Sequence, residues 1–131
     1  MIVVDASAVL SFLLREPDAN VFESKLMSIK GGLISVSSVM EIAMKLVRAG
    51  GVHADAKVDA AITLFGLTIC SIDLQQLGCA RAAFRTYGKG QGHSAQLNFS
   101  DCFSYALAKT HDVPLLFKGN DFSQTDIVSA L

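Results

Sequence analysis

Short β-branched runs alternate with helix-period segments along the whole chain. This order predicts an α/β fold: a short central parallel sheet flanked by helices in three α/β/α layers. Two observations support it. The run Ile2, Val3, Val4 is continuously apolar, as a strand covered on both faces is. The length, 131 residues, suits one domain with a substantial core, spanning 1–131.

The elements follow in order. Residues 2–5 (IVVD) form a strand, and SAVLSFLLREP reads as a helix that ends before Pro17. In DANVFESKLMSIKGG, Val21, Phe22, Leu26 and Ile29 recur at helical spacing, and Gly31 and Gly32 stop the helix. LISVS is a second strand. SSVMEIAMKLVRAGG follows as a helix with Val39, Ile42, Ala43, Leu46 and Val47 on one face. HADAKVDAAITLFG is a helix, LTICSI a strand, and residues 73–87 another helix. GKGQGHSAQLN is a loop, FSDCFSYALAKTHD a helix, VPLLF a strand and KGNDF a turn. TDIVSAL closes the chain as a short strand.

The totals narrow the function classes. Net charge is −1, so any contact with nucleic acid requires a local basic patch. Hydrophobic residues make up 51% and mean hydropathy is positive, more apolar surface than one small core hides, which points to a partner or a self-interface. Cys70, Cys79 and Cys102 have no zinc-type spacing and read as reduced thiols of a cytoplasmic protein. No run is long enough for a membrane span, and no basic segment precedes the first apolar run, so no signal peptide is expected.

An ionised acid at the end of a buried strand is costly unless paired. Asp5 is such an acid, and the carboxyl ends of parallel strands are where sites form. Glu41 follows the second strand, Asp101 opens the helix FSDCFSYALAKTHD, and Asp121 follows the last buried strand. Four carboxylates gathered without basic partners are stable mainly around a divalent cation, and oxygen donors suit Mg²⁺ or Mn²⁺. Such an ion serves metal-assisted phosphodiester hydrolysis. Each acid also has a structural reading. Ser38 and Glu41 have capping-box spacing, Ser100 can cap the helix that carries Asp101, and Asp121 can form a turn. Asp5 alone, directly after an apolar strand, reads as functional rather than as a cap.

The stretches MIVVDASAVLSFLLREP, ISVSSVMEIAMKL and LNFSDCFSYALAKTHDVPLLFKGNDFSQTDI resemble, in order and spacing, the PIN-domain ribonucleases, specifically VapC-type toxins of bacterial type II toxin–antitoxin pairs. The resemblance covers nearly the whole chain. It implies a PIN-like domain and an Mg²⁺- or Mn²⁺-dependent endoribonuclease. The family's acidic quartet falls on Asp5, Glu41, Asp101 and Asp121, with Asp5 and Asp101 the principal metal ligands. Ser7 and Asn98 are its polar companions. FSD departs from the small residues common before the third acid, and Asn120 stands where some members carry an acid, so the resemblance leaves Asn120, Asp121 or both to face the metal, directly or through water. The implied partners are RNA, a small antitoxin that blocks the site, and a second copy in a homodimer.

Arg81, Arg85 and Lys89 are spaced by four, and with Lys118 they form a candidate basic patch for RNA phosphates. None of the three histidines is assigned to catalysis. Two other classes fit some of these residues. In a phosphotransfer module Asp5 would be the nucleophile, with Ser37 or Ser38 and Lys118 beside it, but Glu41 and Asp101 would have no role. In a non-catalytic metal-binding interaction domain, replacing Asp5 would change no activity.

Overall fold

The structure, a computed structural model, describes residues 1–131. The element order is β1 (Val3–Val4), α1 (Ala6–Leu13), α2 (Ala19–Ile29), β2 (Gly32–Ser35), α3 (Val36–Arg48), α4 (Ala54–Leu64), β3 (Leu67–Cys70), α5 (Leu74–Tyr87), α6 (Phe99–His111) and β4 (Leu115–Leu116). One 3₁₀ turn, Phe122–Gln124, follows β4. All strand pairs are parallel, in the order β3-β2-β1-β4.

Period-two alternation splits each strand between two cores. Val4, Ile34 and Leu116 face a cluster built with α1 to α4, including Val9, Leu26, Ile42 and Phe65. Val3 and Leu115 face the opposite cluster, built with α5 and α6, including Ala83, Leu107 and Phe122. This gives the three layers. The chain moves from β1 outward to β3, then returns to place β4 on the other side of β1. The crevice at such a reversal, outside the carboxyl ends of the strands, is where open parallel sheets build sites. Asp5 ends β1 and Asp121 follows β4, so both acids border it.

Several local expectations shift. The helix α2 ends on Lys30 in the left-handed region, and Gly31, at φ 121°, makes the turn that no other residue tolerates. Gly32 belongs to β2. Val21 and Val47, expected on buried helix faces, are exposed. No final strand forms over residues 125–131. Instead Leu115 donates to Val128 O and accepts from Ala130 N, a single bridge that covers the β4 edge. The three cysteines are free, with only Cys102 buried.

Candidate active site

Helices α1, α3 and α6 all begin at the carboxyl edge of the sheet, because each one either follows a strand there or runs back to feed β4. Their amino ends carry positive partial charge toward that edge. Asp5 is the N-cap of α1 and is 2% exposed. Its Oδ2 accepts from Ser7 N at 3.0 Å and Ser7 Oγ at 2.7 Å, and its Oδ1 accepts from Ser104 Oγ at 2.6 Å. Asp101 sits in a capping box. Asn98 Oδ1 accepts from Asp101 N at 2.9 Å, and Asp101 Oδ2 accepts from Asn98 N at 3.0 Å. Glu41 projects from α3, and exposed Asp121 leads into the 3₁₀ turn. The four acids line one cavity of about 150 Å³.

Their charges are poorly compensated. Burial, then the neighbouring Asp5, then Glu41 and Asp121 push the Asp101 carboxyl up to about 7, against the opposing hydrogen bond from Asn98. Glu41 is raised by burial and by Asp5, with Lys45 opposing. Two lysines reach the cavity. Lys45 is 3.9 Å from Glu41 and half exposed. The Lys118 ammonium turns away, to Asp18 Oδ1 at 3.0 Å and Glu16 Oε2 at 3.3 Å. Ser100 Oγ, whose nearness to Glu41 lowers that acid slightly, is buried without a hydrogen-bond partner. An all-oxygen donor set, surplus negative charge and an orphaned hydroxyl fit a hydrated Mg²⁺ or Mn²⁺. The carboxylates do not close into a ready-made ligand group.

A family model for the PIN domain matches residues 2–128. This chain belongs to the PIN-domain family. Among its relatives, Ribonuclease VapC30 of Mycobacterium tuberculosis is 41% identical over 127 residues, covering 97% of this chain and 96% of the relative. Ribonuclease VapC of Mycolicibacterium smegmatis is 38% identical, covering 97% and 98%. These relatives place the chain among the VapC-type PIN proteins. The solved structure of M. tuberculosis VapC20, a sarcin-ricin loop cleaving toxin, matches with TM-score 0.79 at 17% identity, over 99% of this chain and 98% of that one. A toxin–antitoxin complex from Klebsiella pneumoniae matches with TM-score 0.70 at 15% identity, over 99% and 97%. Both confirm the three-layer PIN fold.

On this PIN fold, Asp5, Glu41, Asp101, Asp121, Ser7, Asn98 and Lys118 share the cavity, and Asn120 does not line it. The contrast between cap and site does not hold for Asp5, which caps α1 and also lines the cavity. Ser38 does not cap α3. Ser35, the last residue of β2, does so through Ser37 N, and no Ser38–Glu41 capping box forms. Asn98, not Ser100, caps α6. The Ser7 hydroxyl, expected to meet substrate, is already engaged. It donates to Asp5 and accepts from Lys118 N at 2.9 Å. Arg81 and Arg85 line a separate apolar groove of about 600 Å³ between α5 and α6, beside Leu77, Phe84 and Phe99. Lys118 is therefore not part of one basic patch with them; its ammonium is bound by Asp18 and Glu16. His93 packs edge-on against Tyr87 and accepts from Ala95 N, a loop role. The phosphotransfer arrangement is absent too. Ser38 bonds Ser104 rather than facing a nucleophile, and Lys118 points away.

Two residues at the site escape the sequence reading, and so does the contact made by a third, Ser38. Lys45 lies one helical turn beyond Glu41, a spacing that signals an ion pair. Ser104 lies three residues beyond Asp101, on the same helix face, which is the signal that places it beside Asp5. Ser38 reaches Ser104 across 66 residues, and nothing local announces that contact.

Proposed function

We propose that this PIN-domain protein is the toxin of a toxin–antitoxin pair, an Mg²⁺- or Mn²⁺-dependent endoribonuclease. The observation that carries the reading is the group of four under-neutralised carboxylates around one cavity at the sheet's carboxyl edge. Asp5 and Asp101 would hold the ion as principal ligands, with Glu41 and Asp121 completing the set. When bound, a divalent ion lowers the pKa of water and offsets charge on phosphoryl oxygens.

The protein's own groups do the rest. Ser7 and Ser104 fix both oxygens of Asp5, so its carboxylate would meet an ion in one orientation. Asn98 holds one oxygen of Asp101 and leaves the other for the cavity. Glu41, half-buried and raised, is suited to take the proton of the attacking water at a carboxylate oxygen. Arg81 and Arg85 would bind RNA phosphates beyond the cleavage point, and Lys118, on release from Asp18 and Glu16, would meet a phosphate at the cavity it borders. In-line attack would leave a 5′-phosphate.

The likeness to a toxin–antitoxin complex supports a protein antitoxin as partner. Exposed Met40, Met44, Leu77, Phe84 and Phe99 support a protein interface, and we assign the chain a homodimer as well. Three free thiols suit the reducing bacterial cytoplasm.

The test is incubation of the purified, partner-free protein with total bacterial RNA, with Mg²⁺ or Mn²⁺ and with EDTA, beside Asp5→Asn and Asp101→Asn. Metal-requiring cleavage that is lost in both variants supports the reading. Equal cleavage by the variants, or none by the folded, metal-loaded protein, removes it.

A further inference from the structure

Asp5 is tied to a second chain of hydroxyls that the acidic quartet does not explain. Ser38 and Ser104 are fully buried, at 0% exposure each. Ser104 Oγ lies 2.6 Å from Asp5 Oδ1 and 3.0 Å from Ser38 Oγ. Ser104 donates its one proton to Asp5. Its oxygen then accepts, and Ser38 must supply that proton. The direction is fixed along the chain from Ser38 to Ser104 to Asp5, and each bond polarises the next. On the other side, Lys118 N donates to Ser7 Oγ, which donates to Asp5 Oδ2. Asp5 is thus held between two serine relays of the same sense.

The first relay joins three separate elements. Ser38 lies one turn before Glu41 on α3, and Ser104 one turn after Asp101 on α6. Helix packing alone would accept two small apolar residues at these positions. Two buried hydroxyls aimed in series at one carboxylate are a costlier choice, since each must be satisfied.

We infer that Ser104, oriented by Ser38, is a positioning residue that sets the orientation of the Asp5 carboxylate and its spacing from the helices bearing Glu41 and Asp101. This rests on the metal-dependent reading of the site. It assigns Ser104 no contact with RNA or with the reacting atoms.

The experiment compares wild type with Ser104→Ala, Ser104→Cys, Ser104→Thr and Ser38→Ala. The cysteine keeps the volume without a strong donor, and the threonine keeps the hydroxyl. Mn²⁺ affinity is measured by calorimetry in the absence of RNA, and kcat and KM on one defined RNA are measured separately. The alanine and cysteine variants should bind Mn²⁺ about tenfold more weakly or worse, the usual effect of losing a partner that orients a ligand. Their kcat should fall with KM for RNA unchanged, threonine should recover most of both losses, and Ser38→Ala should lie between. If Ser104→Cys and Ser38→Ala match wild type in Mn²⁺ affinity and kcat and differ only in Tm, the hydroxyls are core packing and the inference is overturned. If Ser104→Ala does not fold, those two variants decide. A wild type that binds Mn²⁺ but cuts no RNA sinks the nuclease reading, and the affinity comparison still judges Ser104.

Discussion

Asp101 is the residue on which the electrostatics of the site turn. Burial raises its carboxyl first and the charge of Asp5 second. Replacing Asp5 by Asn removes the second cause and leaves the first. In metal-free protein, a carbon-13 titration of the carboxyl groups should therefore show Asp101 falling from about 7 while staying above the ordinary range. No change would mean that the two acids do not share a site. The same shift governs stability. Unfolded, an Asp titrates near ~3.9. Between that value and about 7 the folded chain holds a proton that the unfolded chain has lost, so stability falls as pH rises through this window. Glu41 acts in the same direction. Asp18 and Asp126 are lowered, so their stabilisation is lost only as pH falls through more acidic values. The metal-free Tm should thus decline from pH 5 to pH 8, and added Mn²⁺ should raise Tm more at pH 8 than at pH 5. A thermal melt series reads both. Equal gains at the two pH values would argue against carboxylate ligation.

At the scale of elements, the starts of the helices decide what the site contains. Asn98 caps α6 and orients Asp101 in one motif. Asn98→Ala should cost about 1 kcal/mol in urea denaturation and reduce cleavage, because Asp101 N loses its acceptor. Ser caps nearly as well as Asn, so Asn98→Ser should recover both. Recovery of stability without cleavage would instead assign the amide to RNA. The sequence showed every helix, because the apolar periods are long and the Gly and Pro stops are clear. It did not show which serine begins α3. In Ser35, Val36, Ser37, Ser38 the strand passes straight into the helix, and three hydroxyls compete for the cap. Ser35 takes it because it ends the strand, which frees Ser38 to turn inward. The capping-box pattern at Ser38 and Glu41 was thus a coincidence of spacing. The final strand failed for a related reason: over residues 125–131 the chain keeps only one bridge to Leu115.

Across the whole molecule, strand order converts scattered acids into a site. The four positions were legible as strand ends and helix starts. Their gathering on one edge was legible too, from the rule for parallel sheets; the strand order that brings it about, with β4 pairing with β1 rather than β3, was not. The same topology disperses the cations. Arg81 and Arg85 lie on α5 beside an apolar groove, and Lys118 is bound by Asp18 and Glu16. With net charge −1 and an acidic cavity, the metal-free protein would present a repulsive edge to the RNA proposed as its substrate. An unscreened like-charge contact at about 4 Å in water costs about 1 kcal/mol, roughly a fivefold change in affinity. In EDTA at low salt and pH 8, above the value of about 7 at which Asp101 loses its proton, Asp101→Asn should therefore bind a short RNA more tightly than wild type, on the order of fivefold. With Mn²⁺ present the order should reverse, because the variant would lack a carboxylate proposed to hold the ion. Fluorescence anisotropy at two salt concentrations measures this, and the EDTA difference should shrink as salt screens the charges. If wild type and variant bind RNA equally in EDTA, the phosphates do not approach this edge, and the RNA path must lie along α5 instead.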